Sequence, residues 1–406
     1  MRIIANTRSF FVLFVFLYLL IFVVAFFILG ESEKYENDYD ISSHNIHFSV
    51  VYFSIQAVIG FFLGLRISGF EKYECVNYSP IGQKRIIIAI IINTVFIFLL
   101  MTIFFFKDIQ IVISGYHENY SHSFNAHNFS FLKFNLYISL SLLISYCLNN
   151  IYKTQGYVLF AVIVFLGVVT SDKNPIVLGL LAVFSSLSIY QKSINVKKAL
   201  LIIVYIFLFL IFSKLFSLFR SSGIEYIDFY NVFSNFRLSN IDGAGPYFSI
   251  VYFLENPTTY FGLSYINDIV GFIPKYLYPD RPDGTSLLLA KDVIKDWSPG
   301  EGLGISPVAE GLNNFGYHGV VLHFFVIGII WGWWWSLIRN VMQRFFYSDK
   351  EFFVILYRVV GIYLLLMLFR GSGLGFIKSS IYIIFPILFS QVIIFIIYMA
   401  SNNGKK

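Results

Sequence analysis

Polar residues reach this chain mostly as short interruptions between long apolar runs. Crossing the hydrocarbon of a bilayer takes about 20 helical residues. Runs near that length fall at 10–29, 48–68, 86–106, 134–151, 156–171, 175–190, 199–217, 317–338, 352–369 and 379–399. The pattern predicts an all-α polytopic membrane protein with about ten transmembrane helices. One stretch departs from it. Residues 218–316 separate the seventh run from the eighth, far longer than an ordinary connector. The expected organisation is 1–217 with the first seven spans, 218–316 as one large segment, and 317–406 with the last three.

Composition removes the alternative of a soluble protein. Only 13% of the 406 residues are charged and 57% are hydrophobic, with mean hydropathy +0.73. A water-facing surface needs roughly twice that share of charge, about 25%. Two cysteines, Cys75 and Cys147, make no disulfide framework, and Cys147 sits in an apolar run as a small buried hydrophobe. The net charge of +6 forms no patch suited to nucleic acid; it lies in the short interruptions, where it sets orientation. The first run follows Arg2 and Arg8, lacks a small-residue cleavage site and leads into further runs, so it reads as an uncleaved span. With the N-terminus cytoplasmic, alternate loops hold Lys72, Lys84, Arg85, Lys153, Lys192, Lys197, Lys198, Arg339, Arg344 and Lys350. The opposite loops hold fewer basic residues, among them Lys107, Lys133 and Lys173. Both termini are therefore expected inside, with 218–316 on the outer face.

Within the long segment, Leu263, Ile266, Val270 and Ile273 recur at helical spacing until Pro274 stops them. A second helix is expected over 286–297, capped by Ser286, with Leu287, Leu288, Ile294 and Trp297 on one side. Both are too short to span and read as helices lying at the membrane surface. A Pro-rich connector (274–284) joins them, and a Gly-rich stretch (297–321) follows. No Gly-Lys-Ser/Thr follows those glycines, so they form no P-loop. His117, His122 and His127 match no metal-ligand spacing; no metal and no cofactor are expected. Trp331, Trp333, Trp334 and Trp335 read as an interfacial aromatic belt. The candidate chemistry is cationic. Arg220, Arg237 and Arg281 lie in the long segment, and Arg370 lies where the ninth run ends. A guanidinium fork binds phosphate oxygens in pairs, so together these residues point to an anionic substrate. Salt bridges to Asp228, Asp242, Asp280 or Asp283, or to lipid headgroups, are the plainer alternative for any one of them.

Two quoted stretches carry a resemblance: FGLSYINDIVGFIPKYLYPDRP (261–282) and GEGLGISPVAEGLNNFGYHGVVLHFFVIGII (300–330). They resemble the Wzy-type oligosaccharide repeat-unit polymerases of O-antigen and capsule synthesis. The family pattern is matched at Ser306, Pro307, Ala309 and Glu310, then at Asn314, Phe315, Gly316, Tyr317 and Gly319. SDKNPIVLGLL (171–181) is a weaker echo in which Lys173 stands where the family often has Arg. FRGSGLGFIKSS (369–380) is similar to the family's penultimate outer loop. The resemblance implies an inner-membrane glycosyltransferase, similar in fold to GT-C-like lipid-linked glycosyltransferases. Its substrates would be an oligosaccharide donor and acceptor on undecaprenyl diphosphate, with membrane lipid around it. A chain-length regulator and a repeat-unit flippase are the partners it admits. Glu310 is the candidate base, with His318 and Glu301 in reserve; Arg281 and Arg370 are the candidate catalytic cations. Lys275, Arg220, Arg237, Lys173, Glu301, Asn314, Tyr317 and His318 are candidate substrate-binding residues. Two other readings stay open: an O-antigen ligase or single-sugar transferase, and a secondary transporter. The transporter lacks the paired halves and mid-membrane charges such proteins use.

Overall fold

The computed structural model describes residues 44–68, 87–102, 130–149, 152–169, 172, 174–189, 244–256, 260–271, 273, 277–293, 304–346, 356–361 and scattered positions from 363 to 396. Among the described residues all regular structure is helical. In chain order the helices are α1 (His44–Ile67), α2 (Ile87–Thr102), α3 (Ser130–Asn149), α4 (Lys153–Val169) and α5 (Asn174–Ile189). There follow α6 (Ala244–Glu255), α7 (Leu263–Val270), α8 (Thr285–Val293), α9 (Pro307–Phe315) and α10 (Gly319–Phe346). A 3-10 turn, Gly316–His318, joins α9 to α10, and a π turn occupies Tyr357–Gly361. Helices α1 to α5 and α10 fall on six of the predicted runs. The runs at 10–29 and 199–217 lie outside the described residues.

Apolar side chains cover both sides of these helices. Along α1, Phe53, Ala57, Phe61 and Leu65 are buried, whereas Phe48, Ile55, Ile59, Leu63 and Ile67 are exposed. On α2, Ile88, Ile91, Ile92, Val95, Phe96 and Leu99 face outward. A helix that is apolar all round is stable against lipid and unstable against water. Phe48–Ile67 and the apolar stretch Pro307–Ile338 each have the length and hydropathy to cross a membrane. The second is not one straight helix, however, because the chain reverses at Gly316 and α9 packs back against the start of α10. α10 by itself is about 42 Å long at 1.5 Å per residue, enough to cross the hydrocarbon.

α1 and α10 pack face to face because their contact surfaces are almost bare. A Cβ at Gly60 would strike the Val321 carbonyl, one at Gly64 the Phe325 carbonyl, and one at Gly328 the Phe61 carbonyl. Small residues at matching places let two backbones approach and gain dispersion contact where hydrophobic driving force is absent. Phe61 then meets Trp331 edge-on at 6.2 Å, and Trp331 lies 6.0 Å from Trp335. The aromatic belt expected at 331–335 is thereby corrected. Trp331 and Trp335 are fully buried and Trp334 partly so; of the four, only Trp333 is exposed. Their spacing from Gly328 places Trp331 and Trp335 on the face that meets α1.

A second group is formed by α3, α4 and α5, with the π turn against α5 and α3. It holds buried polar links. Asn93 on α2 donates to Asn135 Oδ1 (2.8 Å) and Ser139 Oγ (3.0 Å) on α3, and Ser145 donates to the Ala182 carbonyl (2.8 Å) on α5. Lys133 was assigned to the loop before the fourth run, but α3 starts earlier and carries it in its first turn. There it is buried and pairs with Asp172 at 2.7 Å. Asp172 in turn accepts from the Asn174 backbone N–H (3.0 Å) and side-chain amide (2.7 Å) at the start of α5. The pair ties the first turn of α3 to the α4–α5 junction. Cys147 is only partly buried.

α8 also differs from its expectation. It begins at Thr285 rather than after a Ser286 cap, and its buried face is Thr285, Leu289, Ala290 and Val293, with Leu288 exposed. So few apolar residues do not fix by periodicity which face is buried. α7 is confined to Leu263–Val270, since Phe261 (φ 46°) and Gly262 (φ 84°) hold a left-handed turn immediately before it. Phe261, Leu263, Ile266 and Ile269 are exposed around it.

Candidate functional site

The site is built where α9 folds back on α10. Ser306 starts α9 as its N-cap: its hydroxyl accepts from the Val308 N–H (3.1 Å), and Pro307 occupies the first turn, where no N–H is needed. The Ser306 N–H donates to Ser249 Oγ (2.9 Å) and so anchors the start of α9 to α6. Gly316, at φ 67°, turns the chain out of α9. On the return, Gly311 lies against Val320 and the His323 Cβ, at 2.9 and 3.2 Å from where its own Cβ would stand. That close approach puts Glu310 beside His323.

Glu310 is fully buried, and its Oε2 lies 3.7 Å from His323 Nε2. The opposite ring nitrogen, Nδ1, shares a short hydrogen bond with the Tyr265 hydroxyl from α7. The Tyr265 and His323 rings lie nearly parallel, 5.4 Å apart at 11°. Carboxyl, imidazole and phenol therefore form one chain running from the buried core of α9 and α10 to α7, where Tyr265 is partly exposed. Burying a carboxylate costs several kcal/mol unless it is paired, and ionisable groups in such surroundings cluster at functional sites.

Asn314, a candidate substrate-binding residue, links α7 to α9. Its amide nitrogen donates to Ser264 Oγ (2.6 Å) and to the Glu310 carbonyl (2.9 Å), and its oxygen accepts from the Gly262 N–H (3.1 Å). Tyr260 and Phe261 add N–H bonds to the carbonyls of Asn313 and Asn314, each at 3.0 Å. Asn314 is the clamp that holds the start of α7 against α9, and so keeps Tyr265 over His323. His318 and Tyr317 project from the 3-10 turn, both exposed, with the Tyr317 ring 5.6 Å from Phe53 of α1. The imidazole that meets Glu310 is that of His323, not His318.

Arg281 uses Nη1 to hold two carbonyls near the end of α7, Gly271 and Ile273, the latter at 2.7 Å. Among the described residues no carboxylate pairs with it, while neighbouring Asp283 is taken by Lys291 at 2.5 Å. Lys173, Arg220, Arg237, Lys275, Glu301 and Arg370 lie outside the described residues. Among the described residues no cluster of His, Cys, Asp and Glu is arranged to hold a metal. Sequence reasoning passed over His323 and Tyr265. An imidazole a few residues into an apolar run is costly enough to have drawn notice. Nothing distinguishes Tyr265 among 28 tyrosines.

Among the described residues all regular structure is helical, several helices turn apolar side chains outward, and Glu310, His323 and Tyr265 meet between α7, α9 and α10; these features define a helical membrane protein. The chain belongs to the O-antigen polysaccharide polymerase Wzy family, whose model matches residues 3–403. Proteins of this family are glycosyltransferase-like membrane enzymes with lipid-linked oligosaccharide substrates. No curated protein and no solved structure matches the chain.

Proposed function

We propose that this protein polymerises oligosaccharide repeat units carried on undecaprenyl diphosphate, at the outer face of the bacterial cytoplasmic membrane, in O-antigen, capsule or exopolysaccharide synthesis. The family match over nearly the whole chain carries this reading. Ten spans, both termini cytoplasmic and residues 218–316 outside complete the arrangement, supported by the bias of Lys and Arg among the short loops.

In the proposed reaction the bond between the donor's anomeric carbon and the diphosphate oxygen breaks, and the carrier leaves with the electron pair. A hydroxyl oxygen of the acceptor repeat unit bonds to that carbon and gives up its proton. Negative charge grows on the diphosphate, where fixed cations stabilise it without a metal. Arg281 and Arg370 serve there, with Lys275, Arg220, Arg237 and Lys173 holding the rest of the anion. Arg281 suits this role because no described carboxylate neutralises it. Glu310 receives the proton, with Glu301 and His318 as substitutes on the outer face and Tyr317 beside the sugar. A chain-length regulator and a repeat-unit flippase are the expected partners.

The test is a deletion strain complemented with wild type or Glu310→Gln, with surface polysaccharide length and protein level measured together. Deletion is expected to leave single repeat units at the surface; loss of every unit would identify a ligase instead. Glu310→Gln keeps the shape and cannot take a proton, so normal protein with collapsed polymer is expected. Full-length polymer from this variant removes Glu310 from the role.

A further inference from the structure

Glu310 has no exposed surface, so an acceptor hydroxyl cannot touch it where it lies. The proton needs a path. We infer that Tyr265 and His323 supply it: the acceptor meets Tyr265, and its proton reaches Glu310 by a relay through the His323 ring. The inference rests on the polymerase reading above and adds to it the residues that carry the proton.

The geometry supports each link. Tyr265 comes from α7, which lies between the buried site and an exposed apolar surface made by Leu263, Ile266 and Ile269. That is where a lipid-linked saccharide arrives when α7 rests in the headgroup layer. The phenol is hydrogen-bonded to Nδ1 and stacked on the imidazole, which fixes its direction. With Nδ1 accepting from the phenol, neutral His323 carries its proton on Nε2, the nitrogen facing Glu310 Oε2 at 3.7 Å. That gap exceeds a hydrogen bond, and catalytic contacts of this kind tighten when substrate is bound. Aromatic rings flank two of the links: Phe315 stands 6.2 Å from the Tyr265 ring and Phe324 lies 5.7 Å from His323. Burial of Glu310 and His323 strengthens the inner link, while Tyr265 stays partly exposed to meet the acceptor.

The transfer balances. The acceptor hydroxyl passes its proton to the Tyr265 oxygen, Tyr265 passes its own to Nδ1, and Nε2 gives its proton to Glu310. Tyr265 ends as a phenol, His323 as the other neutral tautomer and Glu310 as a carboxylic acid. The acceptor oxygen keeps its electron pair for the anomeric carbon, and no charge is left on the relay. On this account Tyr265 is the group that touches substrate, and His323 is a positioning residue acting through it.

The decisive measurement uses full-length protein in lipid vesicles with a purified undecaprenyl-diphosphate-linked repeat unit, scored as turnover per folded molecule. Tyr265→Phe keeps the ring and loses the hydroxyl. It is expected to lower kcat about 100-fold while the KM for the lipid-linked unit holds. His323→Gln, which still offers the phenol an acceptor, is expected to lose a similar factor. Combining Tyr265→Phe with Glu310→Gln is expected to be no slower than the worse single variant, because groups acting as one unit are not additive. Near-normal kcat in Tyr265→Phe, or losses that multiply in the double variant, overturn the relay. So does a fall in folded protein with turnover per molecule intact, which marks a structural cluster. If wild type itself forms no polymer, the polymerase reading fails; if wild type polymerises and the variants match it, that reading stands and the relay alone falls.

Discussion

Asn314 can offer two amide hydrogens and one carbonyl oxygen, and α7 and α9 use them all: Ser264 Oγ, the Glu310 carbonyl and the Gly262 N–H. The family resemblance makes the residue a candidate for substrate binding. In the fold these bonds give it a structural part, holding α7 against α9. Asn314→Asp keeps the volume and the acceptor but sets an oxygen against the Glu310 carbonyl. The expected cost is about 1–3 kcal/mol, the usual penalty for a buried polar group that loses its partner. Thermal unfolding of the detergent-solubilised protein should show a lowered midpoint. An unchanged midpoint would mean that α7 is held by something other than this clamp. Glu310, the candidate base of the outer segment, is fully buried in the fold beside the His323 imidazole.

Between elements, the α1–α10 contact is limited by backbone, not by side chains. Gly60→Ala would drive a methyl into the Val321 carbonyl, where nothing can rotate away. Gly179→Ala on α5 meets only the side chains of Ile163 and Phe160, at 2.7 and 3.2 Å, which have torsions to absorb it. Overpacking of the first kind costs roughly 1–3 kcal/mol, and the second should cost clearly less. Parallel measurements of membrane-inserted protein and of its survival on heating are expected to rank wild type first, Gly179→Ala next and Gly60→Ala last. A reversed order would show that the two helices separate easily. The existence of α1 and α10 was legible in their long apolar runs. Their partnership was not, because glycines spaced along an apolar helix look the same whether they face lipid or another helix.

For the whole molecule, orientation rests on the distribution of Lys and Arg among short loops. It is tested by placing one thiol on α8. With Cys75 and Cys147 replaced by serine, Lys291→Cys presents its thiol at an exposed position of that helix. It is expected to react with a membrane-impermeant reagent in intact cells, or in spheroplasts where an outer membrane intervenes. Labelling only after lysis would place the 218–316 segment inside, away from any substrate already delivered to the outer face.

The sequence by itself determined the solvent and the class of this protein. Long apolar runs with little charge between them leave lipid as the only medium in which their surfaces are stable, and hydropathy records that residue by residue. It also singled out 260–321 as the stretch in which to look for chemistry, because polar and glycine-rich positions clustered there stand out against so apolar a background. The meaning of single residues was settled only by tertiary structure. Trp331 and Trp335 became core, Lys133 the partner of Asp172, and Asn314 a clamp, while His323 and Tyr265 came together with Glu310 from three separate helices. Apolar periodicity reports which face of a helix avoids water. In a chain apolar on nearly every face it carries little information about which faces meet, and that was decided by close packing.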